Sequence, residues 1–259
     1  MNKAIIMHSF LRLARPGTLM TLVMFVLVYP TALIAFISRL PSVSFDFEAF
    51  ANLVFGPMMI NVAAFTFVSS SIGNTKSLDD GEYLALLFSR PIFRWVYVVS
   101  KWLAGFALVV LVIGSQTIVF KTLLQLIGRG DQLSVGFIDV ANIILNSLQI
   151  TALVAMIFAF PSRIGAMLFA GLLYLSFAAP MMFNAIPDSA LWFHGDLHNI
   201  VNSISGCLRS FTYAPIDLDP YFNSIQILWL PIITFASNLA IYIWIAVVVL
   251  NNREFFYTN

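Results

Sequence analysis

The sequence predicts an all-α polytopic membrane protein with six transmembrane helices. Three observations carry this. The 259 residues are 60% hydrophobic and only 10% charged, with a mean hydropathy of +0.92. A soluble domain of this size needs more charge and less apolar sequence. Second, six stretches are long and uncharged: Thr18 to Ser38, Ala49 to Thr75, Trp102 to Phe120, Val140 to Ser162, Ile164 to Pro187 and Pro220 to Asn252. A hydrocarbon core about 30 Å thick takes about 20 helical residues. Third, these runs are continuously apolar rather than alternating, which favours helices over a β-barrel. Residues 1–259 are expected to form one transmembrane domain.

Residues 1–16 read as an amphipathic helix at the inner membrane surface. Ile6, Phe10 and Leu13 share one helical face, and Lys3, Arg12 and Arg15 add positive charge. Pro16-Gly17 breaks that pattern before the first span. No small-residue cleavage site follows the first span, so it reads as a retained helix rather than a secretory signal.

Between the second and third spans, residues 77–94 concentrate charge in an otherwise greasy chain. The stretch DDGEYLALLFSRPIFRW from 79 to 95 holds three of the 12 carboxylates and two of the 13 basic residues. Asp79 with Glu82 fits a helix-start capping pattern, and Ser77 with Asp80 fits it nearly as well. Acidic residues also suit the positive end of a helix. Leu84, Leu87 and Phe88 follow at i, i+3 and i+4, and Arg90 precedes Pro91, which ends the helical pattern. The block therefore reads as a short cytoplasmic helix with an acidic front and an apolar face. A solvated loop would explain Arg90 and Arg94, but not an apolar face, which needs a groove or a membrane to bury it.

A tight turn at Phe160-Pro161-Ser162-Arg163 separates the fourth and fifth spans. Residues 187–223 form the longest polar segment, ahead of the last span. His194, Asp196 and His198 make an H-x-D-x-H pattern there, whose histidines share a helical face and form a weak candidate metal site. The fuller reading is a short interfacial helix carrying Trp192 and Phe193 at headgroup level. Cys207 is the single cysteine, which excludes an internal disulfide framework.

Orientation follows from the basic residues. With the N-terminus inside, the inner segments carry nine (Lys3, Arg12, Arg15, Lys76, Arg90, Arg94, Lys101, Arg163, Arg253). The outer segments carry four (Arg39, Lys121, Arg129, Arg209). Both termini and the charged block are thus expected in the cytoplasm. Lys101, Lys121, Asp139 and Arg163 fall at span ends, where they can snorkel.

There is no phosphate-binding G-x-x-x-x-G-K-[ST] loop, no G-x-S-x-G and no H-E-x-x-H. No charge falls at a predicted midplane, which argues against an ion-coupled carrier or an intramembrane hydrolase. Asn52, Asn61, Gln116, Asn142, Asn146, Gln149 and Asn238 do lie within spans, where interhelical packing is the commoner role. No catalytic residue and no cofactor bound by this chain are expected. The net charge of +1 says nothing about partners, and no nucleic acid is expected among them.

The charged block and the topology together resemble the permease subunits of ATP-binding-cassette (ABC) transporters of the type-2 export class. That family has six spans and cytoplasmic termini. Before span three it carries an acidic stretch, then roughly G-T-L-E-L-L-L-S-R-P-x-S-R, then a Lys. Leu84, Leu86, Leu87, Ser89, Arg90, Pro91 and Arg94 match in register, Lys101 follows, and Asp80 stands at a family acid. Glu82 and Tyr83 replace the family Gly and Thr, Gly81 sits one place early, and Ala85 replaces the mid-helix acid. The amphipathic N-terminus and the half-spanning outer segment also look like features of that class.

The resemblance implies that the block is a coupling helix docking into a groove of a separate cytoplasmic ATPase, which would hold ATP and Mg. Asp79, Asp80 and Glu82 would meet basic groups there, Leu84, Leu87 and Phe88 would fill the groove, and Arg90 and Arg94 would contact lipid phosphates or ATPase carboxylates. Ser162 and Arg163 would make a second, smaller contact. A second permease copy, by default in a two-fold homodimer, would complete the unit, with membrane lipid around it. The function implied is export of a hydrophobic or amphipathic substrate across the cytoplasmic (inner) membrane. Two alternatives remain: an ABC-type complex transmitting ATP-driven motion to an extracytoplasmic protein through 187–223, and an unrelated polytopic enzyme or carrier.

Overall fold

The structure is a computed structural model. It describes residues 16–37, 93–128, 136–160, 162–173, 194–212 and 229–252, with isolated residues 7, 60, 62–64, 66, 218 and 221. Among these residues all regular structure is helical. Four helical stretches are long and apolar enough to cross a membrane: Leu19–Phe36, Trp95–Leu126, Phe137–Ala159 and Trp229–Asn252. They correspond to the first, third, fourth and sixth expected spans. The second expected span and the amphipathic helix at 1–16 lie largely outside the described residues, as does the latter half of the fifth span.

The first span is interrupted. Helix α1 (Pro16–Val23) passes into a π-helical turn at Met24–Val28, and α2 (Tyr29–Ile37) follows. The cause is Pro30, which has no N–H and whose ring crowds the carbonyl four residues back. The wider turn relieves that crowding: the Tyr29 N–H reaches the Met24 carbonyl five residues back. The Thr31 hydroxyl then donates to the Leu27 and Val28 carbonyls at 2.6 and 2.9 Å.

Helix α3 (Arg94–Leu126) has 33 residues, about 50 Å at helical rise. The expected span Trp102 to Phe120 is its uncharged middle. Lys101 and Lys121 do not end the helix, because each side chain can lie along the helix surface. Lys101 is 3% exposed, and its ammonium lies 5.8 Å from the Tyr97 ring centroid one turn earlier, within cation–π range. So Lys101 is packed, where a free snorkelling chain is expected from the sequence. At the far end Gly128 takes φ 73, the left-handed cap conformation that glycine adopts without strain, and its N–H bonds the Gln125 carbonyl.

Helix α4 (Phe137–Ala159) begins with half a capping box: the Asp139 carboxylate accepts the Gly136 N–H at 2.8 Å. It ends at Phe160, whose extended backbone (ψ 156) is what a residue preceding proline prefers. Helix α5 (Ser162–Leu173) starts at once, so the expected tight break between the fourth and fifth spans is present. A Cβ on Gly165 would stand 2.6 Å from the Ile157 carbonyl oxygen, so only glycine lets α5 lie this close to α4. Helix α6 (His194–Thr212) precedes α7 (Trp229–Asn252).

Helix α4 is the hub. It packs on α7, α3 and α5, and α7 also meets α3. One apolar cluster joins Tyr97 and Trp102 of α3, Leu153, Met156 and Ile157 of α4, and Tyr242, Ala246 and Leu250 of α7. The Trp102 indole N–H bonds the Leu148 carbonyl at 3.3 Å and ties α3 to α4. A second cluster sets Val109, Val112 and Ile113 of α3 against Ile150 and Val154 of α4, with Ile60, Ala63 and Ala64. Phe25 and Val26 of the first span pack on its edge.

Candidate functional site

The residues singled out in the sequence are not brought together by the described structure. Asp79, Asp80, Glu82, Leu84, Leu87, Phe88 and Arg90 lie outside the described residues. Arg94 is the first residue of α3, directly after Phe93, whose non-helical backbone (ψ 128) opens the helix. Ser162 and Arg163 are the first two residues of α5. His194, Asp196 and His198 fall in the first turns of α6, which places 194 and 198 one turn apart on a shared face.

What the structure does assemble is a polar seam inside the helix bundle. Asn142, Asn146 and Gln149 stand at i, i+4 and i+7 on α4, one face of that helix. Asn238 and Tyr242 stand at i and i+4 on α7. Asn146, Gln149, Asn238 and Tyr242 are all buried. The Asn238 amide donates to the Ser210 carbonyl at 2.6 Å, and Asn142 accepts the Leu218 N–H at 2.9 Å. Phe211 sets its ring edge-on to Tyr242, with centroids 5.2 Å apart.

These contacts explain how α6 is held. Ser210 lies in the last turn of α6, where carbonyls have no partner inside the helix. Asn238 supplies one. Leu218 follows the helix, and Asn142 satisfies its amide. Non-helical backbone at membrane depth is tolerated only where protein groups satisfy it in this way. The sequence reading expects a short interfacial helix; α6 instead has 19 residues, and its C-terminal end packs against the middle of α7. Gly195 does not prevent this, because tertiary packing outweighs a local propensity of about 1 kcal/mol.

Several hydrogen-bonding groups remain unused. Gln149 Nε2, Tyr242 Oη, Ser147 Oγ and both amide atoms of Gln116 are buried without a partner. The Gln149 side chain faces the Tyr242 hydroxyl across the seam, close enough for the two to interact. Tyr242 and Ser147 are the residues that sequence reasoning missed. The available signal for Tyr242 was its place: interfacial tyrosines mark span ends, whereas IYIWIAVV puts this one deep in an apolar run.

Comparison with models of protein families, with curated proteins and with solved structures finds no match to this chain. The class that the fold defines is therefore a helical, polytopic membrane protein with a polar seam between two of its candidate spans.

Proposed function

We propose that this chain is the permease subunit of an ATP-driven exporter of the ABC type-2 class. It sits in the cytoplasmic membrane with both termini inside, and it works with a separate cytoplasmic ATPase and a second permease copy. One observation carries the reading: the sequence block whose Leu84, Leu86, Leu87, Ser89, Arg90, Pro91 and Arg94 resemble the coupling motif ends where the longest helix among the described residues begins. Arg94 belongs to both. Helix α3 packs on α4, α7 and the first span. A push delivered at Arg94 would thus reach three other candidate spans through α3. ATP and Mg act on the partner; this chain supplies the docking face and the moving helices, and the transported species is hydrophobic or amphipathic.

The test is co-purification. Leu87→Asp puts a charge on the apolar docking face, and loss of a buried interface anchor typically costs about 2 kcal/mol or more. The variant is expected to reach the membrane in normal amounts and to lose its ATPase partner. Retention of the ATPase at wild-type yield contradicts the reading.

A further inference from the structure

The first span carries a joint that the bundle grips on one side only. At the π-helical turn Met24–Val28 the backbone closes on the carbonyl five residues back, as the bond from the Tyr29 N–H to the Met24 carbonyl shows. Pro30 has no N–H to give, so the helical ladder also lacks one bond just past the turn. The Thr31 hydroxyl donates to the Leu27 and Val28 carbonyls, a kind of back-bonding that often bends helices. Helix bends concentrate where a proline and a π turn coincide in this way.

The two sides of the joint are held differently. The turn itself packs on α3, and so does α2. Pro30 and Ile34, one helical turn apart on α2, are buried. Phe25 and Val26 of the π turn lie against the second apolar cluster. Helix α1 has no such anchor: among the described elements it packs closely on the π turn alone. Leu22, beside the turn, touches the edge of the second cluster, but Leu19, Met20 and Val23 are exposed. Between helices in lipid, cohesion comes mainly from packing. A swing of α1 therefore gives up little, whereas a swing of α2 would give up its interface with α3.

We infer that the π-helical turn Met24–Val28 is a hinge about which α1 swings while the turn and α2 stay on α3. On the expected orientation α1 is the cytoplasmic end of the first span, so its swing would open and close the inner end of the bundle beside α3. That use in transport rests on the export reading; the hinge itself does not.

The experiment uses the full-length chain in phosphatidylcholine nanodiscs, without any ATPase. Cys207→Ser removes the single native cysteine. Two double variants then carry nitroxide spin labels: Met20→Cys with Leu111→Cys, which reports α1 against α3, and Phe36→Cys with Leu111→Cys, which reports α2 against α3. All three sites are exposed. Double electron–electron resonance on the frozen discs reads each distance distribution. Hinge motion on the microsecond to millisecond scale is trapped by freezing as a spread of distances. The Met20–Leu111 distribution is expected to be broad or two-peaked, and the Phe36–Leu111 distribution single and narrow. Pro30→Ala restores the missing N–H and removes the ring. It is expected to narrow the first distribution to the width of the second and to leave the second unchanged. Equal widths for the two pairs without Pro30→Ala overturn the inference, whether or not that variant folds. So does a first distribution that stays broad in Pro30→Ala. Because no ATPase is present, failure here leaves the permease reading standing, and failure of ATPase capture leaves the hinge standing.

Discussion

Asn238 sets the terms at the residue scale. Its amide bonds the Ser210 carbonyl at 2.6 Å in the last turn of α6, where nothing else in that helix can. Asn238→Leu keeps the volume and removes the donor. Losing the donor to this part-buried carbonyl costs about 1 kcal/mol. The expected result is a lower Tm and faster proteolysis within 194–228, with α3 and α4 still protected; equal protease sensitivity would contradict the pinning role. Gly165 makes a steric counterpart. The added methyl of Gly165→Ala would meet a backbone carbonyl at 2.6 Å, which cannot rotate away. The helix pair must separate, at about 1–3 kcal/mol for such overpacking. A thermal unfolding series should show Gly165→Ala lowering Tm, whereas Gly171→Ala, with open space around it, should not. Neither role was legible in the sequence. A lone Asn or Gly in an apolar run looks the same whether it touches a carbonyl or lipid. What could be read was spacing: Asn142, Asn146 and Gln149 already lie on one helical face, although nothing in the sequence says that α7 covers it.

At the scale of elements, the sequence was most informative where chemistry is local. Pro161 foretold the break between α4 and α5, because proline dictates the backbone of the residue before it. The uncharged runs located the cores of α3 and α4, but not their ends. Helix α3 extends past Lys101 and Lys121 because lysine is a good helix former whose stem packs well. The length of α6 was missed, since its stability comes from tertiary contacts rather than from its own residues. The cap of α4 offers a local test. Asp139→Ala removes the acceptor for the Gly136 N–H. It should cost about 0.5–2 kcal/mol, read as a lower Tm and faster amide exchange in the first turn of α4. Unchanged exchange there would show that the cap carries no stability.

For the molecule as a whole, hydropathy revealed the class and charge bias supplied an orientation. The four described candidate spans agree with the class. Orientation is a matter for topology reporters: alkaline phosphatase fused after Gly128 should be active and fused after Phe160 inactive, and the reverse pattern would invert the account. The partner assembly is the least legible feature, because a docking face is defined by a groove on another chain. The direct test of the export reading is the mass of the intact complex, taken from native membranes in mild detergent through a tag on this chain. The reading predicts a particle of two permeases and two copies of a soluble P-loop ATPase, one ATPase per permease, that falls apart in Leu87→Asp. A particle that contains this chain alone, or only with other membrane proteins, would contradict it.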